Sequence, residues 1–375
     1  MNLRAISEFF QRDLFGKEPP IGIDISNESI ILVEIKKLRG VSGLELVKVG
    51  MAPTPPNAVR DGEIVDPNRV AETIQQIKDV HEFKAKRAIV AVSGQAAIIR
   101  SPLKFRAVPK KELEEVILFQ AERYIPFAVD DVNIDYEIIN KFQDEEGEKV
   151  EVLLVAAQKQ LINTYVDTLS LAGFELVAVD VASFAVARAL TGEHTLGEDK
   201  LIVLVLIRSE TTDINILKSG VPRFSRSIPI GSSTFIETIA SNLNLELEES
   251  IQLFDKMVIP IPGSPPITEP LIEQAAKELK STWRELTSEI QRSLEYFHAQ
   301  QEGDRVQQLI LSGRGSYISN LDQYLSTNLG IDVEIANPIN YLYFDENLFP
   351  VDFLMENAAI MATAIGLARR GVEEY

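Results

Sequence analysis

The chain has 375 residues, of which 45% are hydrophobic and 25% are charged, and its formal net charge is −19. This length predicts about two globular domains, and the acidic balance excludes a nucleic-acid footprint, which needs clustered Lys and Arg to neutralise phosphates. Cysteine is absent and the three His lie in polar stretches, so disulfides, thiolate metal sites and histidine catalysis are not expected.

Residues 1–19 are predicted to form an N-terminal extension with helical spacing of its apolar residues. Charged residues interrupt this segment, which argues against a signal peptide, and no apolar run approaches the roughly 20 residues needed to span a bilayer. A cytoplasmic protein without a transmembrane span is therefore expected. The extension either docks on a partner or membrane surface, or it packs against the rest of the chain or frays from it. The sequence leaves these interpretations open.

The first half is predicted to cover residues 20–198. It opens with three β-rich runs, "IGIDIS", "SIILVEIK" and "LELVKVG", joined by short polar turns, which is the pattern of a β-meander. A helix is predicted over 66–83, followed by a buried strand in "RAIVAVS". An inserted subdomain is expected at about 88–179, with a helix between Pro109 and Pro126 and a hairpin around the turn "QDEEGEK".

The second half, residues 199–375, repeats this order of strands. The runs "LIVLVLI", "TDINIL" and "VPRFSRSIPIG" precede a helix, and Glu210 falls where Glu28 falls in the first half. A repeat of this kind indicates a duplicated fold. A helical subdomain is predicted at about 236–306, including one long helix over 270–300. A terminal helix at 355–370 is expected to pack back on the first half.

Each half opens with a hairpin, and the second half also has the glycine loop "GRGS" between a strand and a helix. Two hairpins facing each other across a cleft would form a nucleotide clamp. Turn N–H groups approach phosphates most closely where glycine removes the Cβ, and a carboxylate at a hairpin can hold Mg²⁺. A glycine loop at a helix start leaves bare backbone for adenosine. The sequence therefore predicts an α/β nucleotide-binding fold.

Six blocks of sequence resemble the actin-like ATPases and, within them, the PilM family of type IV pilus assembly proteins, which are related to FtsA. The blocks are "GKEPPIGIDISNESIILVEI", "KKELEEVILFQAERYIPF", "VDVASFAVARAL", "SEIQRSLEYF", "LILSGRGSYISNLDQYLSTNLGIDVEIANP" and "MATAIGLARR". They occur in family order over about the whole chain. The resemblance implies an actin-like, ribonuclease H-like duplicated two-domain fold with an inserted FtsA-like subdomain.

Carried over position by position, the resemblance also implies the site. The cofactor-binding residues would be Asp24, Ser26 and Asn27 in the first hairpin, Arg208, Ser209 and Glu210 in the second, and Gly313, Arg314 and Gly315 in the glycine loop. The implied cofactor is ATP or ADP with Mg²⁺, held by Asp24 and Asp180 as metal ligands. The resemblance implies no catalytic residue that this chain retains.

Three departures from the family pattern weaken the expected ATPase site. Ser26 replaces the glycine of the first hairpin, and the second hairpin has Leu206 and Arg208 in place of its aspartate and glycine. Nucleotide binding is therefore expected to survive better than hydrolysis. Each of these residues also has a purely structural interpretation. Asp24 could cap a turn, and Asp180 could be a structural carboxylate. For Arg208, an exposed surface arginine is the better interpretation.

The resemblance implies a cytoplasmic scaffold, peripheral at the inner membrane through its partners, in the machine for type IV pilus assembly and twitching motility. Its implied partner is the cytoplasmic N-terminal peptide of PilN, with other inner-membrane and motor proteins of the pilus and a possible homo-oligomer. One alternative is an active, possibly filament-forming ATPase. Another is a small-molecule kinase, for which no base can be nominated.

Overall fold

The computed structural model describes residues 18–38, 40, 42–60, 62–93, 97–190, 200–300 and 305–374. The amphipathic part of the predicted N-terminal extension lies outside the described residues, as does most of the predicted crossing between the halves at 191–199.

Five strands form the first sheet. They are β1 (Ile21–Ile25), β2 (Ser29–Lys37), β3 (Leu44–Pro53), β6 (Arg87–Val92) and β10 (Glu175–Val181). Their order is β10-β6-β1-β2-β3. The meander β1-β2-β3 is antiparallel, whereas β6 and β10 add in parallel on the other side of β1. A short hairpin, β4 (Val59–Arg60) with β5 (Glu63–Ile64), follows the meander.

The second sheet repeats this topology. Its strands are β11 (Leu201–Ile207), β12 (Thr212–Lys218), β13 (Val221–Ile228), β14 (Gln308–Ser312) and β15 (Asp332–Ile335). The order β13-β12-β11-β14-β15 matches the first sheet strand for strand, again with an antiparallel meander and two parallel strands. The predicted duplication is confirmed.

A third sheet of three strands lies in the middle of the first half. It contains β7 (Ala97–Arg106), β8 (Val132–Asp144) and β9 (Gly147–Gln158) in the order β7-β9-β8, and it packs its own apolar core against α2 (Lys110–Ala121). This unit is narrower than the 88–179 predicted for the inserted subdomain, because β6 and β10 pair with the first sheet. We therefore propose residues 97–158 as the subdomain.

The remaining helices cover the two main sheets. In the first half these are α1 (Pro67–Val80), α3 (Lys159–Leu171) and α4 (Ala182–Leu190); in the second they are α5 (Ser232–Leu243), α6 (Leu247–Phe254), α7 (Pro270–Glu278), α8 (Lys280–Gln300), α9 (Leu321–Leu329) and α10 (Val351–Glu374). The long helix predicted over 270–300 is divided at Leu279, a fully buried residue that both amphipathic segments place toward the core.

Helix α10 follows the second sheet along the chain but lies against β1, β2 and α4 of the first half. The fit requires glycine: a Cβ on Gly22 would lie 2.1 Å from the carbonyl oxygen of Ala364, and one on Gly366 would lie 1.8 Å from that of Ala185. Among the described residues, α10 is the one helix long and apolar enough to cross a membrane, and 61% of its apolar window is buried inside the protein.

Candidate functional site

The first hairpin, between β1 and β2, closes its turn with its own side chain. The Ser26 hydroxyl donates to the Ser29 carbonyl at 2.9 Å and accepts from the backbone N–H groups of Glu28 and Ser29 at 3.3 and 3.1 Å. Thr54 donates to the Ser26 carbonyl at 2.6 Å. The hydroxyl that replaces the usual glycine is therefore engaged within the turn rather than directed at a ligand.

Asp24 and Arg208 pair across the cleft between the two hairpins. The Arg208 Nη2 lies 3.1 Å from the Asp24 Oδ1, and the two side chains are only 12% and 7% exposed. Burial opposes the charge on the Arg208 guanidinium, but the facing Asp24 carboxylate outweighs it and raises the pKa of Arg208. The interpretation of Arg208 as an exposed surface arginine was wrong, and the protein itself supplies the cation beside Asp24.

Two further contacts join the hairpins to the opposite half. Asn27 donates to the Glu210 carboxylate at 2.5 Å, and Ser232, at the start of α5, donates to the Glu28 carboxylate. Burial raises the pKa of Glu28, although the Ser232 hydrogen bond acts in the opposite direction. Glu28 and Ser232 were not predicted as site residues. The equivalent placement of Glu28 and Glu210 in the two repeats was the signal that could have identified Glu28.

The start of α5 is also closed by the second hairpin. The backbone N–H of Ser232 donates to the Arg208 carbonyl and that of Ser233 to the Ser209 carbonyl, both at 2.8 Å. Backbone N–H groups at the start of a helix are ordinarily available to bind an anion. Here these two are used inside the protein.

The glycine loop after β14 is explained by packing against β11. Gly313 has φ +82°, and a Cβ there would lie 2.3 Å from the Ile207 carbonyl oxygen. A Cβ on Gly315 would lie 2.2 Å from the Ile207 Cγ2. Both glycines are thus needed for the fold, with or without adenosine. Arg314 between them pairs with Asp255 at 2.6 Å.

Asp180 lies in a buried ion cluster rather than in an open metal site. Its Oδ2 is 2.8 Å from the Arg188 Nη1 and 3.1 Å from the Arg370 Nη1, and its Oδ1 accepts from the Val181 N–H at 2.8 Å. Burial opposes ionisation, but Arg188 and Arg370 prevail and hold the pKa of Asp180 below its usual range. These contacts favour a structural role for Asp180 over the predicted metal ligation.

Two cavities flank the bridged hairpins. One, of about 390 Å³, is lined by Glu28, Asp255, Arg314 and Tyr317 among others. The other, of about 470 Å³, is lined by the two hairpin turns together with Glu63, Phe127 and Leu161 of the first half. The first cavity borders the glycine loop, where the base and sugar of a nucleotide were expected.

The residues present do not fit a Mg²⁺ ion coordinated by Asp24 and Asp180. Both carboxylates are already neutralised by arginines. Leu206, at the position of the family's second acidic residue, is a core side chain that is 1% exposed. Across the part of the chain that the structure describes, no three carboxylates or histidines gather as a metal site would require.

The duplicated sheets, the facing hairpins and the glycine loop define an actin-like protein, and solved structures agree. Ethanolamine utilization protein EutJ from Carboxydothermus hydrogenoformans is 12% identical, covers 98% of this chain and 99% of its own, and superimposes with a TM-score of 0.55. MreB5 of Spiroplasma citri bound to AMPPNP is 12% identical, covers 95% of this chain and 96% of its own, and has a TM-score of 0.53. The expected actin-like fold is confirmed.

The family follows from a closer similarity. The family model described as "Type IV pilus assembly protein PilM" matches residues 22–372, so the chain belongs to the PilM family. A solved structure described as a PilM-PilN type IV pilus biogenesis complex is 27% identical, covers 95% of this chain and 99% of its own, and has a TM-score of 0.84. The family predicted from the six sequence blocks is confirmed.

Proposed function

We propose that this protein is a cytoplasmic scaffold of the type IV pilus inner-membrane assembly platform, and that it binds the N-terminal cytoplasmic tail of PilN. The observation that carries the proposal is the bridged cleft: Arg208 pairs with Asp24 where an ATPase of this fold would need metal and phosphate. The solved PilM-PilN complex supports the choice of partner. Its peripheral position at the inner membrane would come from that partner.

The 470 Å³ cavity is the binding region we propose for the tail, because it lies between the opening hairpin and the inserted subdomain. Phe127 of that subdomain lines the cavity and is 38% exposed. Partly exposed aromatic side chains at the rim of a cavity are common anchors for a bound peptide. A disordered tail loses conformational entropy on binding, so we expect a moderate, micromolar affinity.

Calorimetry with the isolated PilN tail tests this proposal. The wild-type protein should bind the peptide, and Phe127→Ala should weaken binding at least about tenfold, as loss of an anchoring aromatic does. Phe119→Ala is the matched control, because Phe119 is an exposed aromatic of the same subdomain that does not line the cavity. If the folded protein shows no binding at high micromolar peptide, the scaffold proposal is wrong as stated.

We expect hydrolysis of ATP to be very slow or absent, because Leu206 stands where the family has its second acidic residue. Loss of one charge-positioning group typically costs about 3 kcal/mol in the transition state, or roughly a hundredfold in rate. Wild-type protein and Asp24→Asn should therefore show the same phosphate release, with no dependence on Mg²⁺. Mg²⁺-dependent turnover that disappears in Asp24→Asn would instead establish the active, possibly filament-forming ATPase.

We infer that ATP or ADP, without a tightly held Mg²⁺, is bound by the 390 Å³ cavity, where the phosphates would compete with Asp255 for the Arg314 guanidinium. A bulky residue at Gly313 is not a useful test, because it would collide with the Ile207 backbone. Arg314→Ala should keep the fold, because the Arg314–Asp255 ion pair is partly exposed and contributes little to stability. ADP should stabilise the wild type, by about 2.7 kcal/mol at 100 times Kd, and Arg314→Ala much less. Equal thermal shifts in both proteins would place the nucleotide elsewhere.

A further inference from the structure

The segment 343–356, which leads into α10, is rich in exposed apolar and acidic side chains. It exposes Tyr343, Leu348, Val351, Phe353 and Met355 by 37–69% each. Between them lie the exposed acidic residues Asp345, Glu346, Asp352 and Glu356, and the segment contains no Lys, Arg or His. Apolar side chains exposed in a group, rather than singly, mark a surface that contacts something.

The segment is held in place, so its apolar side chains are exposed on a fixed surface. The backbone N–H of Tyr343 donates to the Leu44 carbonyl, and its carbonyl accepts from the Leu46 N–H, both at 2.8 Å. The backbone N–H of Phe349 donates to the Asp345 carbonyl at 3.0 Å. Leu354 is fully buried in the core beneath.

The first turns of α10 arrange the two kinds of side chain into stripes. At about 100° per residue, Asp352 and Glu356 lie one above the other on the face away from buried Leu354. Val351 and Met355 occupy one flank of this acidic stripe, and Phe353 occupies the other. Met355 also accepts a hydrogen bond from Asn337 Nδ2 at 3.4 Å, which joins its flank to the segment after β15.

The charges decide which kind of partner fits. An anionic membrane surface would repel four carboxylates without a cation among them. A second copy of this chain would bring the same acidic stripe and a net charge of −19 against it. A helix with apolar residues on one side and Lys or Arg beside them complements both the flanks and the stripe.

We propose that the 343–356 patch is a second docking site, which binds a basic amphipathic helix of a partner protein. The patch is built from the segment before α10 and the start of α10, held by β3 at Tyr343, and it includes neither the hairpins nor the inserted subdomain. It therefore leaves the proposed tail-binding cavity free, and the scaffold can hold two partners at once.

A labelled amphipathic peptide of about 18 Leu and Lys residues, roughly five helical turns, serves as the probe for fluorescence anisotropy. Phe353→Ser combined with Asp352→Lys should weaken its binding at least about tenfold. Leu247→Ser combined with Glu248→Lys is the matched control, since it changes an exposed apolar and an exposed acidic residue at the start of α6. This control should leave the affinity within about twofold of wild type, the change expected for exposed contacts outside the site.

A peptide of the same charge with Ser in place of Leu should bind at least about tenfold more weakly than the probe, because it cannot fill the apolar flanks. Thermal melts of both double variants show that each remains folded. If both double variants weakened peptide binding equally, the peptide would be responding only to the overall negative charge, and the proposal would fail. The proposal would also fail if Phe353→Ser with Asp352→Lys left peptide binding unchanged. Loss of binding to anionic vesicles in that variant, or loss of a dimer seen by light scattering, would then identify the partner as a membrane or a second copy.

Discussion

Replacing Asp180 by Ala is expected to lower the free energy of unfolding by about 3–5 kcal/mol, the usual cost of removing one partner from a buried ion pair. The change leaves Arg188 and Arg370 in the interior without their shared carboxylate, which is fully buried. Arg370 lies on α10 and Arg188 on α4, so the loss also loosens the contact between these helices. Chemical denaturation of the full chain measures the effect.

Glu273→Ala is the control, because the Glu273–Lys277 pair is exposed and worth at most about 1 kcal/mol. The pH dependence gives an independent check. The folded pKa of Asp180 is depressed, so its stabilisation is fully present above the unfolded pKa of about 3.9 and is lost as pH falls through the folded pKa. A metal-binding role would instead be indicated if Asp180→Ala left stability unchanged and removed a Mg²⁺-dependent stabilisation of the wild type.

Gly366→Ala is expected to destabilise the protein by about 2–3 kcal/mol, the upper part of the roughly 1–3 kcal/mol range for overpacked cores. Ordinarily the same change inside a helix is favourable by about 1 kcal/mol, because glycine is a poor helix former. Here the new Cβ would lie 1.8 Å from the Ala185 carbonyl oxygen, so α10 and α4 must move apart. The sign of the effect therefore separates close packing from helix propensity.

Gly330→Ala provides the comparison. Gly330 has φ +69° with open space around its Cβ position, so its cost should be only the roughly 1 kcal/mol of a left-handed backbone. Thermal and denaturant unfolding of the two variants should rank Gly366→Ala as the more damaging. An increase in stability for Gly366→Ala would show that α10 and α4 leave room for a methyl group at this contact.

Much of the fold could be predicted from the sequence because its signals are local. The buried strand β11 is a continuous apolar run, and the meanders alternate with short polar turns. Since the two meanders repeat in order, the duplication is also evident in the order of the apolar runs. The bounds of the inserted subdomain were harder to predict, because β6 and β10 join the first sheet through pairings between residues distant in the sequence.

The site was harder to predict because its contacts cross between the halves. Arg208 resembles a surface residue in its local sequence, and only the fold brings it to Asp24. Asp180 lies near the end of β10, and the two arginines that surround its carboxylate come from α4 and, far along the chain, from α10. Gly313 and Gly315 match the family pattern, but the sequence does not show that both pack against Ile207, which leaves no space for a Cβ at either position.

The placement of α10 has a consequence for how the protein is made. The first sheet emerges early from the ribosome, yet the face that contains Gly22 is covered only by a helix synthesised nearly a whole chain later. Until then the nascent chain presents an uncovered apolar sheet, a surface prone to aggregation. Contacts between such distant residues also fold slowly. Production of this protein should therefore depend on chaperones that hold the early sheet during translation.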